Sequence, residues 1–217
     1  GAPAITENTP NNAPVAANDS YATTETLLTV AASGVLANDT DADGDALTAV
    51  VVTNPAHGVL TLRDDGSFMY MPAADYVGID SFTYQVSDGK ANSNVATVSI
   101  KVNYAFAGFF QPVDNPPAVN QVKAGSAVPV KFNLGGNKGL NIFAAGYPTS
   151  QRIACDNTAP VDNIEMLTTS NSGLTYNAAN NQYNYVWKTE KSWAGTCRRF
   201  TLRLKDGTDR IALFKFK

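Results

Sequence analysis

Two neighbouring stretches decide the fold: Ser81-Phe82-Thr83-Tyr84-Gln85-Val86-Ser87-Asp88-Gly89-Lys90 and Ala96-Thr97-Val98-Ser99-Ile100-Lys101-Val102. Successive side chains of a strand point to opposite faces. Phe82, Tyr84 and Val86 therefore share one face, and Ala96, Val98, Ile100 and Val102 share another, while Thr, Gln, Ser and Lys fill the alternate positions. One buried and one wet face is the signature of an antiparallel sheet packed on one side only. Asp88-Gly89-Lys90 supplies the turn chemistry after the first strand.

The pattern continues in both directions. Upstream, Thr26 to Val30, Ala46 to Val52, Gly58 to Leu62 and Ser67 to Met71 are short β-branched and aromatic runs, with turn residues such as Asp64-Asp65-Gly66 between them. Downstream, Val128 to Leu134, Arg152 to Cys155, Ile164 to Thr168, Tyr183 to Trp187, Arg199 to Lys205 and Arg210 to Phe216 read the same way. Phe200, Leu202 and Leu204 alternate with Arg199, Thr201, Arg203 and Lys205, so the aromatic residues here are expected in a core. The expectation is an all-β chain of two tandem Ig-like β-sandwiches, each of roughly 100 residues. Residues 1–14 form an extended linker, 15–103 the first sandwich and 104–217 the second.

Composition agrees. Of 217 residues, 44% are hydrophobic and only 16% charged, which suits an extracellular all-β protein rather than a helical or disordered one. The net charge of −3 hides a division. Residues 1–103 hold 12 acidic and 3 basic side chains, whereas residues 104–217 hold 7 acidic and 13 basic. The acidic half repels itself unless cations neutralise it. In the other half Lys and Arg are dispersed along strands, so no nucleic-acid partner is expected. No apolar run approaches the roughly 20 residues of a membrane span, and membrane insertion is not expected. Cys155 and Cys197 are the only cysteines and read as one disulfide formed in an oxidising compartment. A chain that starts at Gly1 without an initiator Met reads as an excised or processed fragment, whose neighbours would carry the export signal.

The most chemically informative stretch is Asn38-Asp39-Thr40-Asp41-Ala42-Asp43-Gly44-Asp45. Asp at every second position of a turn can converge on one hard cation, and Ca2+ takes six to eight oxygens at about 2.4 Å. The start resembles an EF-hand, but counted from Asp41 Gly44 falls two positions early and Val52 stands where the bidentate Glu belongs, and counted from Asp39 Val50 stands there, so that reading fails. An acidic hairpin turn without metal is the alternative.

Asn12-Ala13-Pro14, Thr40-Asp41-Ala42-Asp43 and Tyr84-Gln85-Val86-Ser87-Asp88-Gly89 together resemble the cadherin-like repeats of bacterial surface proteins, over about residues 11–103. The resemblance implies Ca2+ and, as its ligands, Asn12, Asp41, Asp43 and Asp88. Spacing alone adds Asp39 and Asp45. The pattern lacks the acidic residue that cadherins carry just before Asn11-Asn12, so the full set would draw on a preceding module.

The second half resembles the family named for its Pro-x-Lys-Phe motif, here Val128-Pro129-Val130-Lys131-Phe132-Asn133-Leu134. Pro112 to Pro117, Ile142 to Pro148 and Trp193 to Arg199 match it as well. That resemblance implies an accessory domain of secreted proteins without established catalytic residues. Lys131 lies on the face opposite Val128, Val130 and Phe132, and is expected to snorkel over the sheet rather than form an isopeptide bond.

Nothing points to catalysis. His57 is the single histidine, in the loop Asn54-Pro55-Ala56-His57-Gly58, and neither a Ser-His-Asp set, a phosphate loop nor zinc-like spacing is present. The function expected is a non-enzymatic structural or adhesive module of a secreted or surface-exposed protein, stiffened by calcium. Its expected partners are neighbouring domains of the same larger protein, with a second copy, a cell-surface partner or a glycan as further candidates. One rival is a carbohydrate-binding appendage of a secreted hydrolase, for which Tyr183, Tyr185, Trp187 and Trp193 would have to be exposed. The other rival is self-assembly through an edge strand or through residues 1–14.

Overall fold

The structure is a computed structural model that describes residues 10–156, 158–167 and 173–217. The first nine residues of the expected linker, and Thr168 at the end of one expected strand, lie outside the described residues. The chain is all-β and divides into two compact units, Gly1–Asn103 and Tyr104–Lys217.

Among the described residues, seven strands build the first unit: β1 Asp19–Thr24, β2 Leu28–Val30, β3 Thr48–Thr53, β4 Gly58–Leu62, β5 Phe68–Pro72, β6 Gly78–Ser87 and β7 Ala96–Asn103. One sheet runs β1-β7-β6-β3 and the other β2-β5-β4. All pairings are antiparallel except β1 with β7, which is parallel. The alternation read at residues 82–102 becomes the core: Phe82, Tyr84, Val86, Val98, Ile100 and Val102 are all fully buried. Phe68 packs edge-on against Phe82 and Tyr21, with centroids 5.6 and 5.1 Å away.

Two glycines let the short 3-10 turn Gly34–Asn38 close over that core. The backbone N–H of Val35 donates to Gly66 O at 3.0 Å, and Val35 is fully buried. A Cβ on Gly34 would stand 1.9 Å from Gly66 O, and one on Gly66 2.0 Å from Ser33 O. Both residues also have positive φ, which side chains with a Cβ rarely tolerate.

A buried carboxylate holds the opposite loop. Asp80 is 4% exposed and accepts hydrogen bonds from the N–H groups of Ala56, His57 and Ser81 and from the Tyr70 hydroxyl. Burial pushes its pKa up, yet these four bonds outweigh it and hold the carboxyl below the usual range. His57 is fixed there by stacking on Tyr76, with centroids 4.2 Å apart.

Among the described residues, nine strands build the second unit: β8 Phe109–Phe110, β9 Val119–Val122, β10 Ala127–Phe132, β11 Thr149–Ile153, β12 Glu165–Met166, β13 Leu174–Asn177, β14 Gln182–Lys188, β15 Cys197–Arg203 and β16 Asp209–Phe216. They form the sheets β13-β14-β10-β8 and β12-β11-β15-β16-β9. The Pro-x-Lys-Phe stretch is β10, with Val128, Val130 and Phe132 buried. Pro129 is tolerated between neighbours because β8 pairs only with Lys131 and Phe132, so no ladder bond is demanded of the proline on that side. Trp187 anchors the core against Phe200 and Phe214, at 4.9 and 5.0 Å.

Cys155 and Cys197 form the expected disulfide, with Cα atoms 5.2 Å apart, joining the end of β11 to the start of β15. The stretch Trp193 to Arg199 acquires a physical reason here. Arg198 is buried under Trp193, 3.9 Å from the ring centroid, and pairs bidentately with Glu165 at 2.8 and 3.3 Å.

Candidate metal centre

The acidic turn lies between the 3-10 turn and β3. Asp41, Asp43 and Asp45 each place a carboxylate oxygen within 4.8 Å of the others. The turn closes on Asp41: its Oδ1 accepts the N–H groups of Asp43 and Asp45 at 2.9 and 3.1 Å. Its Oδ2 is buried and has no hydrogen-bond partner. A buried carboxylate oxygen without a donor costs free energy that a cation would return.

The segment before β1 is tied to this turn. The backbone N–H of Asn12 donates to Asp43 Oδ2 at 2.6 Å and its side-chain amide to Oδ1 at 3.0 Å. Asn11 Nδ2 donates to Asp88 Oδ2 at 2.8 Å, while Asp88 Oδ1 caps the N–H groups of Lys90 and Ala91. Val15 and Thr40 pair backbone to backbone beside them. Asn12, Asp41, Asp43, Asp45 and Asp88 are thus gathered at one end of the unit.

Charge follows the contacts. The Asn12 N–H groups hold the Asp43 carboxyl below its usual range. The Asn11 amide, with the Ala91 and Lys90 N–H groups, brings Asp88 down to about 2. Lys90 Nζ sits 2.7 Å from Asp45 Oδ2 and is raised in turn by that bond. The donors are carboxylate and amide oxygens without His or Cys, which is the set a hard cation prefers and Zn2+ does not. With Asp41 Oδ2 unpartnered, the residues fit calcium.

Residues 11–104 match the family model for the bacterial cadherin-like domain. The match covers the acidic turn, the Asn11-Asn12 segment and Asp88 together. No curated protein matches the chain. Among solved structures, an endo-fucoidan hydrolase of glycoside hydrolase family 107 is 21% identical, covering 98% of this chain and 30% of that one, with a TM-score of 0.34. The Yersinia pseudotuberculosis adhesin InvE is 12% identical over 94% of this chain and 58% of its own, with a TM-score of 0.30. Cadherin domains 3–6 of protocadherin gamma B2 are 10% identical over 94% and 47%, with a TM-score of 0.31. The chain spans about a third of the length of the hydrolase.

Asp39, expected beside the other aspartates, faces elsewhere in the first unit. Its Oδ1 accepts the Ala17 N–H at 2.7 Å, and both of its oxygens lie 3.0–3.1 Å from the Tyr84 hydroxyl. Asp19 Oδ2 reaches the same hydroxyl at 3.2 Å, so Asp39 forms a second acidic pair instead of joining the first group. Burial raises the pKa of both, and for Asp19 the Asp39 charge adds to it. Sequence spacing could not assign Asp19 or Tyr84 to this pair, since they stand 20 and 45 residues from Asp39.

The aromatic residues considered for sugar stacking are placed differently from what that role needs. Tyr183, Tyr185, Trp187 and Trp193 are 0, 6, 1 and 5% exposed: β14 turns the first three inward, and Trp193, in the 3-10 turn Lys191–Trp193, packs on Trp187 and Phe216 at 5.7 and 5.5 Å. They offer no flat platform.

Proposed function

We propose that this chain is a non-catalytic structural or adhesive module of a secreted or surface-exposed bacterial protein, in which calcium stiffens the entry to the first unit. The observation that carries the reading is the convergence of Asp41, Asp43 and Asp45 around the unpartnered Asp41 Oδ2, with Asn11 and Asn12 already bonded to Asp88 and Asp43. A cation held by Asp41, Asp43 and Asp45, with Asp88 and the Asn12 amide at the rim, would neutralise the repulsion among these carboxylates. Through the bonds of Asn11 and Asn12 it would also fix the direction in which the preceding chain enters. The Pro-x-Lys-Phe-like second unit serves in this reading as an accessory domain, hardened by its disulfide against proteases and force.

The test is calorimetric titration of calcium into chelator-treated protein, beside an Asp41→Ala, Asp43→Ala variant. Saturable binding lost in the variant is expected. Equal heats for the two proteins would remove the site from the reading, and a catalytic turnover by either would remove the reading itself.

A further inference from the structure

The acidic end of the first unit carries a cation of its own. Lys90 Nζ stands 2.7 Å from Asp45 Oδ2. Lys90 is one of only three basic residues in the sequence of the first half, beside Arg63 and Lys101. The turn after β6 aims it. Asp88 Oδ1 accepts the N–H groups of Lys90 and Ala91, both at 2.6 Å, and Gly89 supplies the positive φ between them. The same Asp88 that holds Asn11 through its Oδ2 thus fixes the backbone from which Lys90 reaches across to Asp45.

The four carboxylates meet donors of different kinds. Asp41 accepts the N–H groups of Asp43 and Asp45, Asp43 those of Asn12, and Asp88 those of Asn11 and of its own turn. All of these donors are neutral, and an ionised carboxylate has lone pairs left to bond a cation beside them. Among the described residues, Asp45 is the one of the four in contact with a full positive charge. An ammonium and a divalent cation on one carboxylate repel each other, so they compete for it. The charges of Asp45, Asp88 and Asp43 all act on Lys90, and these are the charges that would attract calcium.

Resting on the calcium reading above, we propose that Lys90 is a tethered counter-ion of the acidic turn. Its ammonium offsets the repulsion among the aspartates when calcium is scarce, leaves Asp45 when calcium binds, and so sets the calcium concentration at which the site fills. Because the lysine is part of the chain, its local concentration beside Asp45 does not fall on dilution. The apparent calcium affinity is the intrinsic one reduced by the fraction of molecules in which Asp45 is free of the ammonium.

The experiment titrates Ca2+ by calorimetry into chelator-treated full chain, Lys90→Met, Lys90→Arg and Lys101→Met, and follows the melting of each with chelator. Lys90→Met removes the charge and keeps the apolar stem. It should bind calcium about 3- to 10-fold more tightly than the parent, the release of one exposed ion pair together with its repulsion of the incoming charge. With chelator it should melt about 1–5 °C below the parent, since the aspartates lose their counter-ion. Lys90→Arg keeps the charge and should bind as the parent does. Lys101→Met removes the same charge from β7 and should stay within about 2-fold of the parent, which separates contact from net charge. Saturable binding of equal affinity in the parent and Lys90→Met, or an equal gain in Lys101→Met, would overturn the proposal and leave the calcium site standing. No saturable heat in any of the four proteins would overturn the calcium reading and the proposal with it, whereas binding by Lys90→Met alone would support both.

Discussion

At the scale of single residues, Asp80 has the clearest measurable consequence. It is a carboxylate carried into a core, and its four donors are the groups that would otherwise be stranded there. Asp80→Ala leaves two loop amides without an acceptor and the Tyr70 hydroxyl with only the His57 carbonyl at 3.4 Å, and should cost about 3 kcal/mol in chemical denaturation. The pH dependence follows from the direction of its pKa. Because the folded value lies below the unfolded one, the contribution is complete above pH ~4 and is lost as pH falls through the folded value. Asp88, held at about 2, adds a loss of the same sign. Asp19 and Asp39, raised by burial, act oppositely and relieve strain as they protonate. Melting followed from pH 5 to 2 should therefore be flatter in Asp80→Asn than in the parent; an equal slope would remove Asp80 from the account. Asp41, Asp43 and Asp45 were legible in sequence because the chain itself brings close neighbours together in a turn. Asp80 and the Asp19–Asp39 pair were not, since their partners Tyr70, His57 and Tyr84 arrive from other strands.

At the scale of elements, the alternating strands were legible and the polar or edge strands were not. β6, β7, β10 and β15 announce themselves because each buries every second side chain. β1, Asp-Ser-Tyr-Ala-Thr-Thr, was missed because it is an edge strand with no fully buried residue, held by parallel pairing to β7. β9 and β13 were missed for the same reason, with one buried residue each. The closure of the first sandwich depends on something subtler than alternation, the backbone approach at Gly34 and Gly66. Gly66→Ala combines a positive φ with a Cβ 2.0 Å from the Ser33 carbonyl, so relaxation has to move backbone rather than a side chain. The φ penalty alone is about 1 kcal/mol and the collision adds to it. An Ala variant that unfolds at the same denaturant concentration as the parent would show that the 3-10 turn is not held by this contact. Gly44, also at positive φ but with nothing within 4 Å, is the matched control that carries only the smaller penalty.

At the scale of the whole molecule, the division of charge and chemistry between the halves predicts that they respond to different stimuli. The aspartates converge in residues 1–103 and the disulfide lies in residues 104–217, so a cation and a reductant act on separate compact units. Scanning calorimetry of the full chain with and without calcium, crossed with and without reductant, reads this directly. Calcium at about 100 times its dissociation constant adds roughly 2.7 kcal/mol to the unit that binds it, raising that transition by about 10 °C or more. Opening the Cys155–Cys197 bridge, which spans 42 residues, removes about 3–4 kcal/mol from the other unit. Its transition should fall by a comparable or larger interval while the calcium-sensitive one stays in place. The Asp41→Ala, Asp43→Ala variant assigns the first transition and Cys155→Ala, Cys197→Ala the second. A single transition moved by both treatments would mean that the two units melt as one cooperative body, and the stiffening proposed for the first would then extend to the second.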